Sequence, residues 1–127
     1  MNRELRPTGI SLPAANYALG VCMENPTRVV HTAGIVGDRP DGTISDDIGE
    51  QAAEMWRSVG AILAQAGMSA RDVVSYTTYA VVGHDLTAVM AARDVFLAGH
   101  RAASTLVPVP ALARPPWKVE VQVVAAR

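Results

Sequence analysis

The spacing of apolar residues along the chain predicts two amphipathic helices. The first series repeats every three or four residues and consists of Ile48, Ala52, Met55, Val59, Ile62 and Ala66. Ser45-Asp46-Asp47 precedes this series and supplies an N-cap and an acidic first turn. Gly67 follows it, where a glycine commonly ends a helix. A second helix is predicted from about Leu86 to Leu97.

Segments rich in β-branched residues predict the strands. They cover residues 17–24, 28–32, 73–82, 104–109 and 117–126. The first two are close enough in sequence to form a hairpin, with the turn signal Asn25-Pro26 between them. In the last strand, alternation places Trp117, Val119, Val121 and Val123 on one face, and Lys118, Glu120 and Gln122 on the other.

The element order β-β-α-β-α-β-β predicts an α+β sandwich. We expect a single domain over residues 1–127, with two helices packed on one face of a mixed sheet. Several strands carry apolar residues on both faces, although helices on one side leave the other face uncovered. We therefore expect a second copy of the chain to cover that face.

Composition and charge narrow the class of protein. Hydrophobic residues make up 50% and charged residues 18% of the chain, and the formal net charge is -1. These values disfavour disorder and the binding of nucleic acid or anionic membranes through bulk charge. The single cysteine, Cys22, excludes an intramolecular disulfide and a cysteine-rich zinc site. Because no bilayer-spanning segment or secretory signal is visible, we expect a cytoplasmic protein without nucleic-acid or membrane partners.

Two charged residues lie on otherwise apolar surfaces of the predicted elements. Arg93 falls at the centre of the apolar stripe of the second helix, where it snorkels, pairs with a carboxylate, or faces a cavity that binds an anion. Glu120 lies between valines, either as a carboxylate on a solvated or interface face or as a general acid/base. The histidines are widely separated and no nucleotide-binding motif is present, so we expect neither a metal nor a cofactor.

Several segments, in their order and spacing, resemble the Rid (YjgF-like) family of reactive enamine/imine intermediate deaminases. They are residues 29–35, 41–44, 61–69, 72–74, 84–86 and 118–121. The most specific feature is a helix that ends in Ala66-Gly67 before a strand that begins Asp72-Val73-Val74. The resemblance extends from about Asn16 to Ala125.

This resemblance implies a chorismate-mutase-like fold, a homotrimer, and small-molecule sites between subunits at which an imine is hydrolysed to a ketone and ammonia. Glu120 matches the family's glutamate, which helps to place the attacking water. Tyr17 matches a site tyrosine. The family's Ser-Gly-Gln corresponds to Thr32-Ala33-Gly34, so Thr32 and Ala33 are expected to line the site.

The family's substrate-binding arginine has no direct counterpart. Its Pro-Ala-Arg-Ser stretch corresponds to Arg101-Ala102-Ala103-Ser104, which places Ala103 at the arginine position, beside Ser104. Arg93 or Arg101 would replace the arginine, or the site is remodelled for a substrate without the carboxylate that the arginine holds. Losing a bidentate clamp weakens substrate binding and orientation.

The resemblance therefore predicts an enzyme that acts on a small enamine, imine or related carbonyl compound. One alternative is a biosynthetic enzyme that uses the same cleft for condensation or cyclisation. The other is a non-catalytic trimer that binds a metabolite or a partner protein. The ribonuclease label of some relatives gains no support, because the chain has few aromatic residues and no basic stripe.

Overall fold

The computed structural model describes residues 1–127 and contains seven strands and two helices. In chain order they are β1 (Asn2–Leu5), β2 (Gly20–Met23), β3 (Val29–His31), β4 (Ile35–Val36), α1 (Ile48–Gln65), β5 (Val73–Val81), α2 (Leu86–Leu97), β6 (Ala103–Val109) and β7 (Val119–Ala126). A 3-10 turn, Ala70–Asp72, precedes β5. Neither helix is long and apolar enough to cross a membrane.

The strands form two sheets. In the larger, five-stranded sheet, β7 pairs antiparallel with β5 on one side and with β3 and β4 on the other. β6 lies at the edge and pairs with β5 in parallel, so α2 serves as the crossover that a parallel pair requires. β1 and β2 form a separate antiparallel pair. The mixed sheet predicted from the sequence is confirmed.

Both helices begin and end where the sequence predicts. The Asp47 carboxylate accepts a hydrogen bond from the Glu50 N–H at 2.9 Å and caps α1. Asp85 caps α2 by accepting from the Thr87 N–H at 2.9 Å. Gly67, just beyond α1, has a φ of 70°, in the left-handed region that favours glycine.

The core lies between the helices and one face of the larger sheet. Its largest fully buried apolar side chains are Met55, Trp56, Val59 and Leu63 from α1, Val73 from β5, and Val119, Val121 and Val123 from β7. Trp56 stacks on Phe96 of α2 at 4.8 Å between ring centroids, which joins the two helices. The alternation predicted for the last strand is confirmed, because its valines are buried and Gln122 is exposed. The helices therefore cover one face only.

The predicted N-terminal hairpin is wrong. β2 pairs with β1, a charged segment that was not predicted as a strand, and β3 pairs with β7 instead. The chain at Asn25-Pro26 therefore passes from one sheet to the other, with Asn25 at a φ of 50°. The sequence also missed β4, which has only two residues and so shows no alternation.

Candidate functional site

The sheet face turned away from the helices carries the candidate acid. On this outer face, the strands contribute Ser75, Thr77 and Tyr79 from β5, Ala103, Thr105 and Val107 from β6, and Glu120 and Gln122 from β7. Tyr79 lies directly opposite Glu120 in the β5–β7 register. Among these residues, Glu120 has the only charged side chain. His31 of β3 lies on the same face, opposite Val124, and the Lys118 ammonium donates to the Asp46 carbonyl.

Glu120 lies directly on the backbone between β3 and β4. A Cβ atom added at Gly34 would be 2.8 Å from the Glu120 Cδ, closer than real side-chain contacts, so a glycine is required for this approach. Glu120 is partly buried, and the ion pairs of the chain all involve other carboxylates. Its oxygens therefore remain available to a water molecule or a ligand. Sequence reasoning did not single out Gly34 or Tyr79 as neighbours of Glu120.

Thr32 holds the segment that contains Gly34. The Thr32 hydroxyl donates to the Ala33 carbonyl at 2.7 Å and accepts from the Val123 N–H at 3.0 Å. The Thr32 N–H also donates to the Val123 carbonyl at 2.9 Å. Because the hydroxyl is buried and already bonded, Thr32 positions the segment, whereas its neighbour Ala33 is exposed.

We expect Thr32→Val to lower the free energy of unfolding by about 1–3 kcal/mol, because the substitution leaves the buried Val123 N–H without its acceptor. Thr32→Ser keeps the hydroxyl and is the matched control, with a smaller expected loss. Urea unfolding measures both values. Equal midpoints for the two variants would contradict the role assigned to the hydroxyl.

Ala103, which we predict to take the place of the family's arginine, lies far from Glu120 within one chain. Glu120 is opposite Tyr79, whereas Ala103 is opposite Ser75, four residues earlier on β5. Two strand spacings and four residues of rise separate the two Cα atoms by roughly 16 Å. No small substrate can therefore touch both positions within one chain.

Arg101 connects the N-terminal segment to the start of β6. Its guanidinium donates to the Tyr17 carbonyl at 2.7 Å and to the Glu4 carboxylate at 3.1 Å. Hydrogen bonds from Arg6 and then from Arg101 hold the pKa of Glu4 below its usual range. The Glu4–Arg101 pair is therefore kept while Glu4 is ionised and weakens as the pH falls through that lowered pKa.

Tyr17 lies before β2, at the same end of the sheet as Ala103. Ala18 forms a bridge with Ala103, and the Ala18 N–H donates to the Ala102 carbonyl at 2.9 Å. The Tyr17 hydroxyl accepts a 3.3 Å hydrogen bond from the Ala14 N–H. The structure thus groups Tyr17, Arg101 and Ala103 at the β6 edge of the sheet, and Ala33 and Glu120 on the side of β4 and β7.

Arg93 and Ser104 lie on the opposite side of the sheet from Glu120. Arg93 is 9% exposed, and its Nε and Nη2 atoms lie 3.0 Å from one oxygen of Asp94. With Ser104 it lines a small cavity beneath α2. Arg93 thus pairs with a carboxylate and also lines a cavity, whereas anion binding there stays a prediction. Within one chain, however, Arg93 does not replace the arginine missing from the outer face.

Comparison with known proteins identifies the family. The sequence profile described as Endoribonuclease L-PSP matches residues 9–127. The chain belongs to this YjgF/Rid family. No protein with curated annotation matches it. The family membership and the chorismate-mutase-like fold predicted from the sequence are confirmed.

Solved structures agree with this assignment. A Yersinia pestis protein of unknown function from the conserved Rid protein family has 27% identity and a TM-score of 0.87, covering 99% of this chain and 98% of that one. A Mycobacterium tuberculosis member of the YjgF/YER057c/UK114 family has 26% identity and a TM-score of 0.67, covering 90% and 89%. The Escherichia coli YjgF gene product has 25% identity and a TM-score of 0.72, covering 98% of both chains.

Proposed function

We propose that this YjgF/Rid protein hydrolyses a small imine or enamine to a ketone and ammonia in a cleft between subunits. The observation that carries the proposal is the placement of the Glu120 carboxylate. It is partly buried on the outer face, rests against Gly34, and has no basic partner within the chain. A carboxylate held in this way can accept a proton from a neighbouring water.

Glu120 acts on both stages of the hydrolysis. It first accepts a proton from a water whose oxygen attacks the imine carbon, and the electron pair of the C=N π bond moves to nitrogen, which takes up a proton from the Glu120 carboxyl. In the second stage the carboxylate takes the proton of the new hydroxyl and delivers it to nitrogen. The C–N bond then breaks and ammonia leaves. Each cycle consumes one water and transfers no electrons.

The two ends of the outer face support a closed ring of subunits, which we propose to be a homotrimer. Glu120 and Ala33 lie on the β4 and β7 side of this face, and Tyr17 and Ala103 lie at its β6 edge. Head-to-tail association brings one end of a subunit against the other end of its neighbour. Sedimentation equilibrium is expected to give the mass of three chains, and a monomer at micromolar concentration would contradict the proposal.

The residue at the clamp position favours a second candidate function. Ala103 offers no guanidinium, so a substrate carboxylate loses its bidentate partner on the outer face. A remodelled member would bind a ligand without a carboxylate, either to condense or cyclise it or as a non-catalytic metabolite-binding or partner-binding trimer. Ribonuclease activity is disfavoured as well, because the outer-face residues of β5 and β6 include no basic side chain to contact phosphates.

Direct measurement of imine hydrolysis tests the proposal. Amino-acid oxidase generates 2-imino acids in situ, an amine oxidase generates imines without a carboxylate, and the remaining imine is trapped and quantified. We expect the protein to accelerate the loss of at least one imine, and Glu120→Gln to abolish the acceleration. No acceleration with any imine would reject hydrolysis and favour the remodelled or binding candidate.

A further inference from the structure

A cavity that does not include Glu120 lies between β1, the segment that joins β1 to β2, and Arg101. We call it the Leu12 pocket. Its volume is about 310 Å³, within the range of small-molecule sites. The apolar part of its lining consists of Leu5, Ile10, Leu12 and Leu19. The proposed hydrolysis assigns no role to this pocket.

The apolar lining can be reached by an occupant. All four side chains are exposed, Ile10 by 57% and Leu12 by 89%. Single apolar residues are common on protein surfaces, whereas several that converge on one cavity are typical of a binding site. An apolar occupant would remove their surface from water, which favours its binding.

The segment that forms the pocket is held in place at both ends. Its first end continues from β1, which pairs with β2 as far as Leu5. Near its other end, the Tyr17 carbonyl accepts a 2.7 Å hydrogen bond from the Arg101 guanidinium. Pro7 and Pro13 fix two φ angles in between. Because the pocket exists before a ligand arrives, binding loses little conformational entropy of this segment.

The charged end of the pocket has an excess of positive charge. The Glu4 carboxylate is shared by two guanidiniums, 2.9 Å from the Arg6 Nη2 and 3.1 Å from the Arg101 Nε. The other two Arg101 nitrogens donate to Asn16 and to the Tyr17 carbonyl. Arg6 has no partner in the chain besides Glu4, and its side chain is 75% exposed. Arg6 therefore keeps free N–H donors at the rim, where they favour an anionic group.

We propose that the Leu12 pocket binds a monocarboxylate with a medium-length apolar chain, such as octanoate. The chain of the ligand packs against the leucine and isoleucine side chains of the lining. Its carboxylate accepts hydrogen bonds from the free donors of Arg6. Because Arg6 is exposed to solvent, the apolar contact contributes more to the affinity than the ion pair does.

Two competing occupants fit the pocket less well. A lipid surface takes up protruding apolar side chains, whereas these side chains converge on a concave space. A second copy of the chain would have to bury about 20–30 residues on each side to form a stable interface, far more than line the pocket. Binding to vesicles or a change of oligomeric state would reveal these occupants.

Titration of the full chain with octanoate tests the proposal, with the amide chemical shifts of the isotope-labelled protein as the signal. Acetate supplies the carboxylate without the chain, octanol the chain without the charge, and octylammonium the chain with the opposite charge. We expect octanoate to saturate one site per chain and to shift the amides of residues 5–19. Octanol should bind more weakly, and acetate and octylammonium should give no saturable shift.

Substitutions in the lining identify the site. Leu12→Ser removes an apolar contact and is expected to weaken octanoate binding about three- to tenfold. Arg6→Gln is expected to weaken octanoate binding about two- to fivefold and to leave octanol binding unchanged. The matched controls are Val95→Ser, which removes an exposed apolar side chain of α2, and Arg57→Gln, which removes an exposed arginine of α1. All four side chains lie on the surface, so the variants should fold.

The proposal is overturned if octanoate gives no saturable shift, if acetate binds as tightly as octanoate, or if Leu12→Ser binds octanoate as tightly as the unmodified chain. It is also overturned if the chain sediments with phosphatidylglycerol vesicles without binding free octanoate, or if Leu12→Ser lowers the mass of the assembly. Glu120 does not line the pocket, so Glu120→Gln should bind octanoate as the unmodified chain does. The proposed binding and the proposed hydrolysis therefore fail separately.

Discussion

Gly37→Ala is expected to destabilise the fold by about 3 kcal/mol, because the added methyl group meets backbone that has no room to move. A Cβ atom at Gly37 would lie 2.6 Å from both the carbonyl carbon and the Cα of Gln51 in α1. Rotating a side chain cannot relieve contacts with backbone atoms. Either α1 or the segment after β4 must shift.

The Gln51 side chain opposes such a shift. It is fully buried, and its Nε2 donates to the Ser45 carbonyl at 2.7 Å and to the Pro116 carbonyl at 2.9 Å. Its Oε1 accepts from the Lys118 N–H at 2.9 Å. Moving α1 away from Gly37 would therefore strain bonds that connect the helix to the entrance of β7. The substitution therefore lowers the free energy of unfolding by disturbing the packing of α1 on the sheet.

Urea unfolding measures the loss, with Gly20→Ala as the matched control. A Cβ at Gly20 would meet only the Leu5 side chain, at an ordinary 3.6 Å. We expect the control to change the unfolding midpoint little. If Gly37→Ala unfolds at the same urea concentration as Gly20→Ala, the close packing of Gly37 on α1 is not what stabilises this region.

The helices could be predicted from the sequence because their determinants are local. The Asp47 cap, the apolar spacing and Gly67 all lie within about one helix length of one another, and each acts on the same backbone. The alternation of β7 could be predicted as well, since buried valines alternate with polar residues that face outward. These signals predicted the α+β fold class and the face of the sheet on which the helices pack.

The pairing of the N-terminal strands could not be predicted in this way. β1 carries Arg3 and Glu4, which conceal its strand character, and β3 finds its partner β7 almost a hundred residues later. Register between distant strands depends on packing that no local pattern records. The turn signal at Asn25-Pro26 was correct as a turn but did not identify the partners.

The candidate site was predictable in its residue types more than in its geometry. Alternation placed Glu120 away from the core, and the apolar stripe placed Arg93 beneath α2. That these two residues lie on opposite faces follows from the sheet register. The contact between Glu120 and Gly34 arises where β4 meets β7, and β4 is too short to show any alternation in the sequence. The sequence therefore predicted which residue types lie on the outer face, but not how they are arranged there.

Glu120→Gln is expected to reduce kcat/KM for imine hydrolysis by about 10²–10⁴-fold, the usual contribution of a general base. The amide keeps the size of the carboxylate but cannot accept the proton of the attacking water. Glu54→Gln makes the same chemical change on α1, where Glu54 pairs with Arg57 at 2.8 Å, and should leave the rate unchanged. Unchanged midpoints in urea would show that the loss concerns the reaction and not the fold.

Gly34→Ala tests the placement of the same carboxylate without changing its chemistry. The added Cβ would lie 2.8 Å from the Glu120 Cδ, so the side chain must rotate away from the segment between β3 and β4. Gly34 is exposed and the displaced group is a flexible side-chain end, so stability should change little. We expect a loss of activity approaching that of Glu120→Gln, since misplacing a base by about 1 Å can reduce the rate about 10²-fold. Full activity in Gly34→Ala alongside an inactive Glu120→Gln would mean that Glu120 acts from a position other than the one seen against Gly34.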